Sequence, residues 1–123
     1  IMEETLRRYF QCWLDQDDGP LKDIFSNDIV YSECCGPEYR GLTQVLQWFR
    51  DWNRTGRVLR WDVKQMLACG RTAVVEWYFA YDAEGQRSAF DGVTLAEFDG
   101  GGKIISLKEF QSKAKHCCPY GRG

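Results

Sequence analysis

The sequence contains a single histidine, few prolines and no long apolar run. His116 lies in a polar C-terminal segment, so neither a Ser–His nor a Cys–His catalytic pair has an obvious base. We predict that His116 is a surface residue or docks that segment. No stretch approaches the roughly 18 apolar residues of a membrane span, and Ile1 to Glu4 lead into a helix pattern without a signal-peptide core. We therefore expect a cytoplasmic protein that does not contact membranes.

The chain also lacks a strong excess of charge of either sign. Sixteen Lys and Arg oppose 18 Asp and Glu, and the two signs are interspersed, which excludes a basic nucleic-acid-binding surface. The glycine run 100–102 is followed by neither a Lys-Ser/Thr pair nor a helix start, so it is a hairpin turn rather than a phosphate-binding loop. We predict no nucleic-acid partner and no cofactor.

The six cysteines show no C-x2-C spacing. They are Cys12, Cys34, Cys35, Cys69, Cys117 and Cys118. Two adjacent pairs in a chain with a full-sized core fit a disulfide framework poorly, and adjacent side chains rarely share a tetrahedral metal site. We predict reduced thiols and no metal. The alternative is a metal site formed where the two cysteine pairs meet His116.

Apolar and aromatic residues are abundant. Hydrophobic residues make up 44% of the 123 residues and aromatic residues 15%, including five tryptophans. Burial of these rings offsets the loss of chain entropy on folding without disulfide or metal cross-links. We predict one domain spanning residues 1–123.

The first half of the chain has the apolar spacing of helices. The residues at i, i+3, i+4, i+7 and i+8 of the first segment are Leu6, Tyr9, Phe10, Trp13 and Leu14. This spacing predicts an amphipathic helix over 3–16. A short helix near 20–26, a brief strand at 29–31 and a second long helix over 42–55 follow.

The second half changes to the two-residue period of strands. Turn signals at Gly70, Glu84-Gly85 and 99–102 separate strands near 57–69, 71–83, 87–99 and 103–114. Helices followed by a four-stranded meander predict an α+β fold with the helices on one sheet face. The opposite face carries exposed apolar residues, which predicts a homodimer through that face. They are Val74, Tyr78, Val93, Leu95 and Phe110.

Several segments resemble the nuclear transport factor 2-like superfamily, which includes SnoaL-like polyketide cyclases and ketosteroid isomerases. They are YFQCWLDQD, LKDIFSNDIVYSE, PEYRGL and FDGVTLAEFDGGGKIISLKEFQSK. The resemblance implies a cone-shaped, cystatin-like fold, with a curved antiparallel-rich sheet wrapped around N-terminal helices. It also implies an apolar pocket for a small hydrophobic ligand.

The resemblance also implies site residues. Tyr9 falls at the oxyanion tyrosine of ketosteroid isomerase and Glu33 at its catalytic aspartate, whereas Thr94 replaces a second oxyanion donor. Compared with limonene epoxide hydrolase, Tyr31 and Glu33 fall near the water-holding residues and Glu109 at an acid of the last strand. Trp77 and Phe79 replace the central Arg and Asp of that site.

Strand alternation places Ile105, Leu107, Glu109 and Gln111 on one face. If that face is concave, desolvation raises the pKa of Glu109; the alternative is an ion pair with Arg40. We predict catalytic roles for Glu33, Glu109, Tyr9 and Tyr31. The predicted pocket lining is Trp13, Trp77, Phe79, Phe90, Thr94, Leu107 and Gln111.

These residues suggest an isomerase or lyase that transfers a proton next to a carbonyl group, with Glu33 or Glu109 as base. The alternative is a non-catalytic ligand-binding or dimeric interaction domain.

Overall fold

The computed structural model describes residues Ile1–Gly123 and contains three helices and six strands. The helices are α1 (Met2–Asp15), α2 (Leu21–Ile24) and α3 (Leu42–Asn53). The strands are β1 (Phe25–Ser32), β2 (Glu38–Arg40), β3 (Gly56–Cys69), β4 (Thr72–Ala83), β5 (Gln86–Phe98) and β6 (Ile104–Ser112).

All six strands form one mixed sheet in the order β2-β1-β6-β5-β4-β3. Strands β3 to β6 form the antiparallel meander, and β1 joins it through a parallel pairing with β6. The predicted α+β fold with a curved sheet and N-terminal helices is therefore confirmed. The pairing of β1 with β6 was not predicted, and neither was β2, which has only three residues and is too short for visible alternation.

The amphipathic face of α1 packs against the sheet because its apolar residues recur once per helical turn. Leu6, Tyr9, Phe10 and Trp13 are all buried, and α3 contributes Val45 and Phe49 to the same core. Helix α1 is capped by Gln16, which adopts a left-handed conformation and donates its N–H back to the last turn. The core therefore lies between the two long helices and the concave face of the sheet.

A bulge in the β5–β6 pairing corrects one predicted position. The register shifts between Glu97 and Phe98, which pair with Ser106 and Ile104 and leave Ile105 without a partner. An unpaired residue in a bulge turns its neighbours toward the other face. Ile104 is consequently buried, whereas Ile105 is 39% exposed and does not share the concave face with Leu107.

The convex face of the sheet carries the apolar residues on which the predicted homodimer depends. Val74 pairs with Leu95 and Val93 pairs with Phe110, which is 55% exposed. The homodimer stays a prediction.

None of the three helices combines the length and the apolarity needed to cross a membrane.

Gly92 in β5 makes room for a tryptophan of the concave face. It pairs with Trp77, and a Cβ atom at position 92 would lie 2.4 Å from both the Trp77 ring and the Phe110 carbonyl oxygen. The Trp77 indole N–H donates to the hydroxyl of Thr94 at 2.8 Å, which fixes the ring over the glycine.

We predict that Gly92→Ala destabilises the protein by about 1–3 kcal/mol, because the added methyl group overpacks against Trp77 and the backbone. Urea unfolding measures the change. Gly100→Ala is the matched control, since the nearest atom to its Cβ is 3.5 Å away on the Arg71 side chain. Equal effects of the two substitutions would contradict this account of Gly92.

Candidate functional site

A cavity of about 150 Å³ opens between the helices, the concave sheet face and the loop after β1. Eight aromatic side chains form most of its wall: Trp13, Trp48, Trp52, Trp61, Trp77, Phe79, Tyr81 and Phe90. Its polar lining consists of Glu33, Cys34, Cys35, Glu109, Gln111 and Lys113. Two carboxyl groups therefore share a small space whose wall consists mostly of aromatic rings.

Glu109 is held from behind by a chain of two tyrosine hydroxyl groups. Tyr31 donates to Glu109 Oε2 at 2.5 Å, and Tyr9 donates to the Tyr31 hydroxyl at 2.5 Å. The parallel pairing of β1 with β6 creates this contact, because Tyr31 lies opposite Leu107, two residues before Glu109 on the same strand face. Helix α1 supplies Tyr9 from the other side.

The environment of Glu109 favours its protonated form. Burial of the carboxyl group raises its pKa from the ordinary 4.5 to about 8; the Tyr31 hydrogen bond acts in the opposite direction, and the charge of Glu33 adds to the increase. Tyr31 is the only hydrogen-bond partner of Glu109 and contacts Oε2. Oε1 therefore makes no hydrogen bond within the protein, and the proton of the neutral acid belongs on that oxygen.

The two tyrosines do not line the cavity. Tyr9 and Tyr31 are completely buried, and desolvation, reinforced by the charge of Glu109, raises the pKa of both hydroxyl groups well above their ordinary value. The predicted role of a tyrosine donating directly to a ligand is not supported by this placement. The two hydroxyl groups instead support Glu109 from the side away from the cavity, because Tyr9 donates a hydrogen bond to Tyr31 and Tyr31 donates one to Glu109.

Glu33 lines the cavity from the loop that follows β1. Its two carboxylate oxygens accept separate hydrogen bonds, one from the Tyr39 hydroxyl at 2.6 Å and one from the Cys35 thiol at 3.2 Å. Glu33 is thus held by its own loop and by β2, and it lines the same cavity as Glu109.

The cysteines beside Glu33 are weakly acidic. Burial, followed by the charge of Glu109, raises the pKa of the Cys34 thiol to about 12, and burial with the Glu33 contact raises that of Cys35. A thiol without thiolate character is a poor nucleophile. All six cysteines are free, and no three His, Cys, Asp or Glu side chains form a metal-binding group.

Five of the seven residues predicted to line the pocket do so: Trp13, Trp77, Phe79, Phe90 and Gln111. Thr94 and Leu107 do not. Both are fully buried, and the Thr94 hydroxyl accepts the Trp77 indole N–H beneath the cavity wall. Arg40 pairs with Glu38 rather than with Glu109.

The predicted lining left out seven residues of the cavity: Cys34, Cys35, Trp48, Trp52, Trp61, Tyr81 and Lys113. Tyr81 follows Phe79 by two residues on the same strand, so alternation could have predicted that it lines the cavity. The position of the α3 side chains depends on how that helix packs on the sheet, which the sequence does not show.

Two indole N–H groups in the wall have no hydrogen-bond partner. They belong to Trp13 and Trp61, whose side chains are buried. The Trp13 indole lies beside the Tyr9 hydroxyl without reaching hydrogen-bond geometry. The N–H of Trp61 is therefore the better candidate to donate to a bound molecule. A buried donor without a partner is costly, and a bound molecule with an acceptor atom would remove that cost.

This helix-backed, curved sheet also occurs in solved structures. An LEH-like epoxide hydrolase of Mycobacterium tuberculosis superposes with a TM-score of 0.81 at 15% identity, covering 90% of this chain and 82% of that chain. A polyketide cyclase-like protein of Shewanella denitrificans gives 0.78 at 15% identity, covering 90% of each chain.

A ketosteroid isomerase-like protein of Catenulispora acidiphila, in complex with trimethylamine, gives a TM-score of 0.76 at 18% identity, covering 89% of this chain and 86% of that one. These likenesses show the fold. No curated protein sequence matches the chain. The model of the SnoaL-like domain matches residues 6–107, and the chain therefore belongs to that family, as its sequence predicted.

We predict that Glu109 makes the protein less stable as the pH rises. The unfolded carboxyl ionises near its ordinary pKa of 4.5, whereas the native one stays protonated until about pH 8. The free energy of unfolding therefore falls, by an amount on the order of a few kcal/mol, as the pH rises through this window. The destabilisation is absent below pH 4.5 and complete above pH 8.

Glu109→Gln removes this dependence, so the variant should gain stability relative to the natural protein between pH 4.5 and pH 8. Urea unfolding at both pH values gives the difference. Glu97→Gln, on the exposed side of β5, is the matched control. A wild-type-to-variant difference that stays constant with pH would refute the assignment.

Proposed function

We propose that the protein binds a small, largely apolar carbonyl compound in the aromatic cavity and that Glu109 transfers a proton at the carbon next to the carbonyl group. This would be an isomerase or lyase reaction of a SnoaL-like domain. The observation that carries the proposal is a carboxyl group with a pKa of about 8, in a ring-lined cavity, with one oxygen free of protein partners.

A pKa near the working pH suits a group that both accepts and returns a proton, because both forms are populated. The carboxylate of Glu109 removes the proton from carbon, and the resulting acid returns it to the enolate at the same or another atom. The Tyr31 hydroxyl stabilises the carboxylate form through its hydrogen bond to Oε2. Tyr9 positions Tyr31 and does not contact the ligand.

The carbonyl oxygen of the substrate needs a donor while negative charge develops on it. The unpartnered N–H of Trp61 is our choice for this role, since the side chain lines the cavity and the N–H is buried. A fixed donor in a water-poor site stabilises such charge more effectively than water does. Trp61 thus takes the role that the resemblance assigned to Tyr9 and to the position of Thr94.

The volume of the cavity limits the substrate. A space of about 150 Å³ corresponds to one benzene-sized group, which is well below the roughly 300 Å³ or more of typical drug-sized sites. We propose a substrate of this size or one with a single ring inside the cavity. A cytoplasmic location and a homodimer through the convex face complete the proposal.

The second candidate is a binding domain without catalysis, favoured by the number of rings in the wall. It predicts that Glu109→Gln retains ligand affinity and that no proton exchange occurs in the natural protein either.

We expect the protein to catalyse deuterium exchange at the carbons next to the carbonyl group of 2-indanone in D2O, followed by proton NMR. The rate above buffer background should rise as the pH passes through about 8, because the carboxylate is the base. Glu109→Gln should lower the rate about 100-fold or more, to background.

Glu97→Gln is the control for the charge change and should exchange like the natural protein. Exchange that persists in Glu109→Gln would contradict the assignment of the base. Binding of 2-indanone without exchange above background would favour the second candidate.

Tyr31→Phe removes the hydrogen bond that stabilises the Glu109 carboxylate. We therefore predict that the pKa of Glu109 rises further and that the midpoint of the exchange-rate profile moves to higher pH. Rates measured from pH 6 to 10 give the midpoint, with Tyr78→Phe on the convex face as the control. A midpoint that moves to lower pH, or not at all, would contradict the role of Tyr31.

A further inference from the structure

The aromatic wall encloses its space from several directions. Neighbouring rings meet at steep angles: Trp13 and Trp52 at 85°, Trp61 and Trp77 at 77°, and Phe79 and Phe90 at 54°. The rings that line the cavity, here called the box, therefore do not form one parallel stack. An aromatic ring is electron-rich on its face, and a box of such rings is the arrangement that attracts cations with an apolar surface.

The acidic groups of the cavity can supply the negative charge that such a cation requires, and Glu109 does so once it ionises at about pH 8. Glu33 and Glu109 both line it, and the only positive group in its lining is Lys113, in the exposed segment after β6. The Lys113 ammonium already lies 5.3 Å from the centroid of the Phe90 ring. One ring of the wall thus contacts a cation within the protein itself.

We propose that the ligand carries a methylated ammonium group, which enters the box of aromatic rings with Glu109 as its counter-ion. A trimethylammonium group has no N–H that needs an acceptor, and its few heavy atoms fit about 150 Å³. The inference rests on the proposed function in that it names the class of molecule bound at the same site. The indole N–H of Trp61 then serves an oxygen elsewhere in that molecule.

A bound cation favours the charged form of Glu109, so binding should release a proton below about pH 8. The other titratable groups around this carboxyl are Tyr31 from β1, Tyr9 from α1, Glu33 and Cys34 from the loop after β1, and Lys113. Cation affinity should therefore increase from pH 6 to pH 9, whereas the affinity of a neutral molecule of the same shape should not.

Choline and its neutral carbon isostere 3,3-dimethylbutan-1-ol separate charge from shape. Calorimetry at pH 9 should give an affinity for choline about tenfold or more above that for the alcohol. Phe79→Leu keeps an apolar side chain but removes a ring of the wall, and it should weaken choline binding more than alcohol binding. Glu109→Gln should weaken choline binding and abolish its increase with pH, while Glu97→Gln should leave both unchanged.

Equal affinities for the two compounds, or choline binding that is indifferent to Glu109→Gln, would overturn the inference. Exchange of 2-indanone without preference for choline would refute the ligand class and leave the proton-transfer function standing. Choline binding without any ketone exchange would support the ligand class and refute the function.

Discussion

The hydrogen bond from Tyr31 to Glu109 is the contact on which the site depends. It joins β1 to β6, places a carboxyl group against the aromatic wall and leaves only one of the two carboxyl oxygens for a ligand. Burial alone would favour the neutral acid even more strongly, and the hydrogen bond moderates that preference. The same contact thus sets both the position and the acidity of Glu109.

The surrounding packing fixes the position of that carboxyl group. Gly92 leaves room for the Trp77 ring beside β5, and the Thr94 hydroxyl accepts its indole N–H. Tyr9 packs edge-on against Phe25 and Trp61, so its hydroxyl reaches Tyr31 from a fixed direction. Buried polar networks of this kind are favourable only when each member finds a partner, and the tyrosine chain meets that condition.

The elements with strong periodicity were predictable from the sequence, and the contacts between distant segments were not. The spacing of Leu6, Tyr9 and Trp13 predicted α1 to within about a residue, and alternation placed Glu109 on the concave face. The bulge at Ile105 and the three-residue strand β2 left no periodic signal. The order Tyr9–Tyr31–Glu109 depends on the parallel pairing of β1 with β6, which bridges most of the chain.

Glu109 should be a neutral acid at pH 7, held in an aromatic cavity by Tyr31, because burial raises its pKa to about 8. Carbon-13 NMR of the glutamate side-chain carboxyl groups, assigned by comparison with Glu109→Gln, follows its titration directly in the unliganded protein. We expect a resonance that titrates with a pKa of about 8 and is missing from the variant. A Glu109 resonance that titrates near the ordinary 4.5 would contradict it.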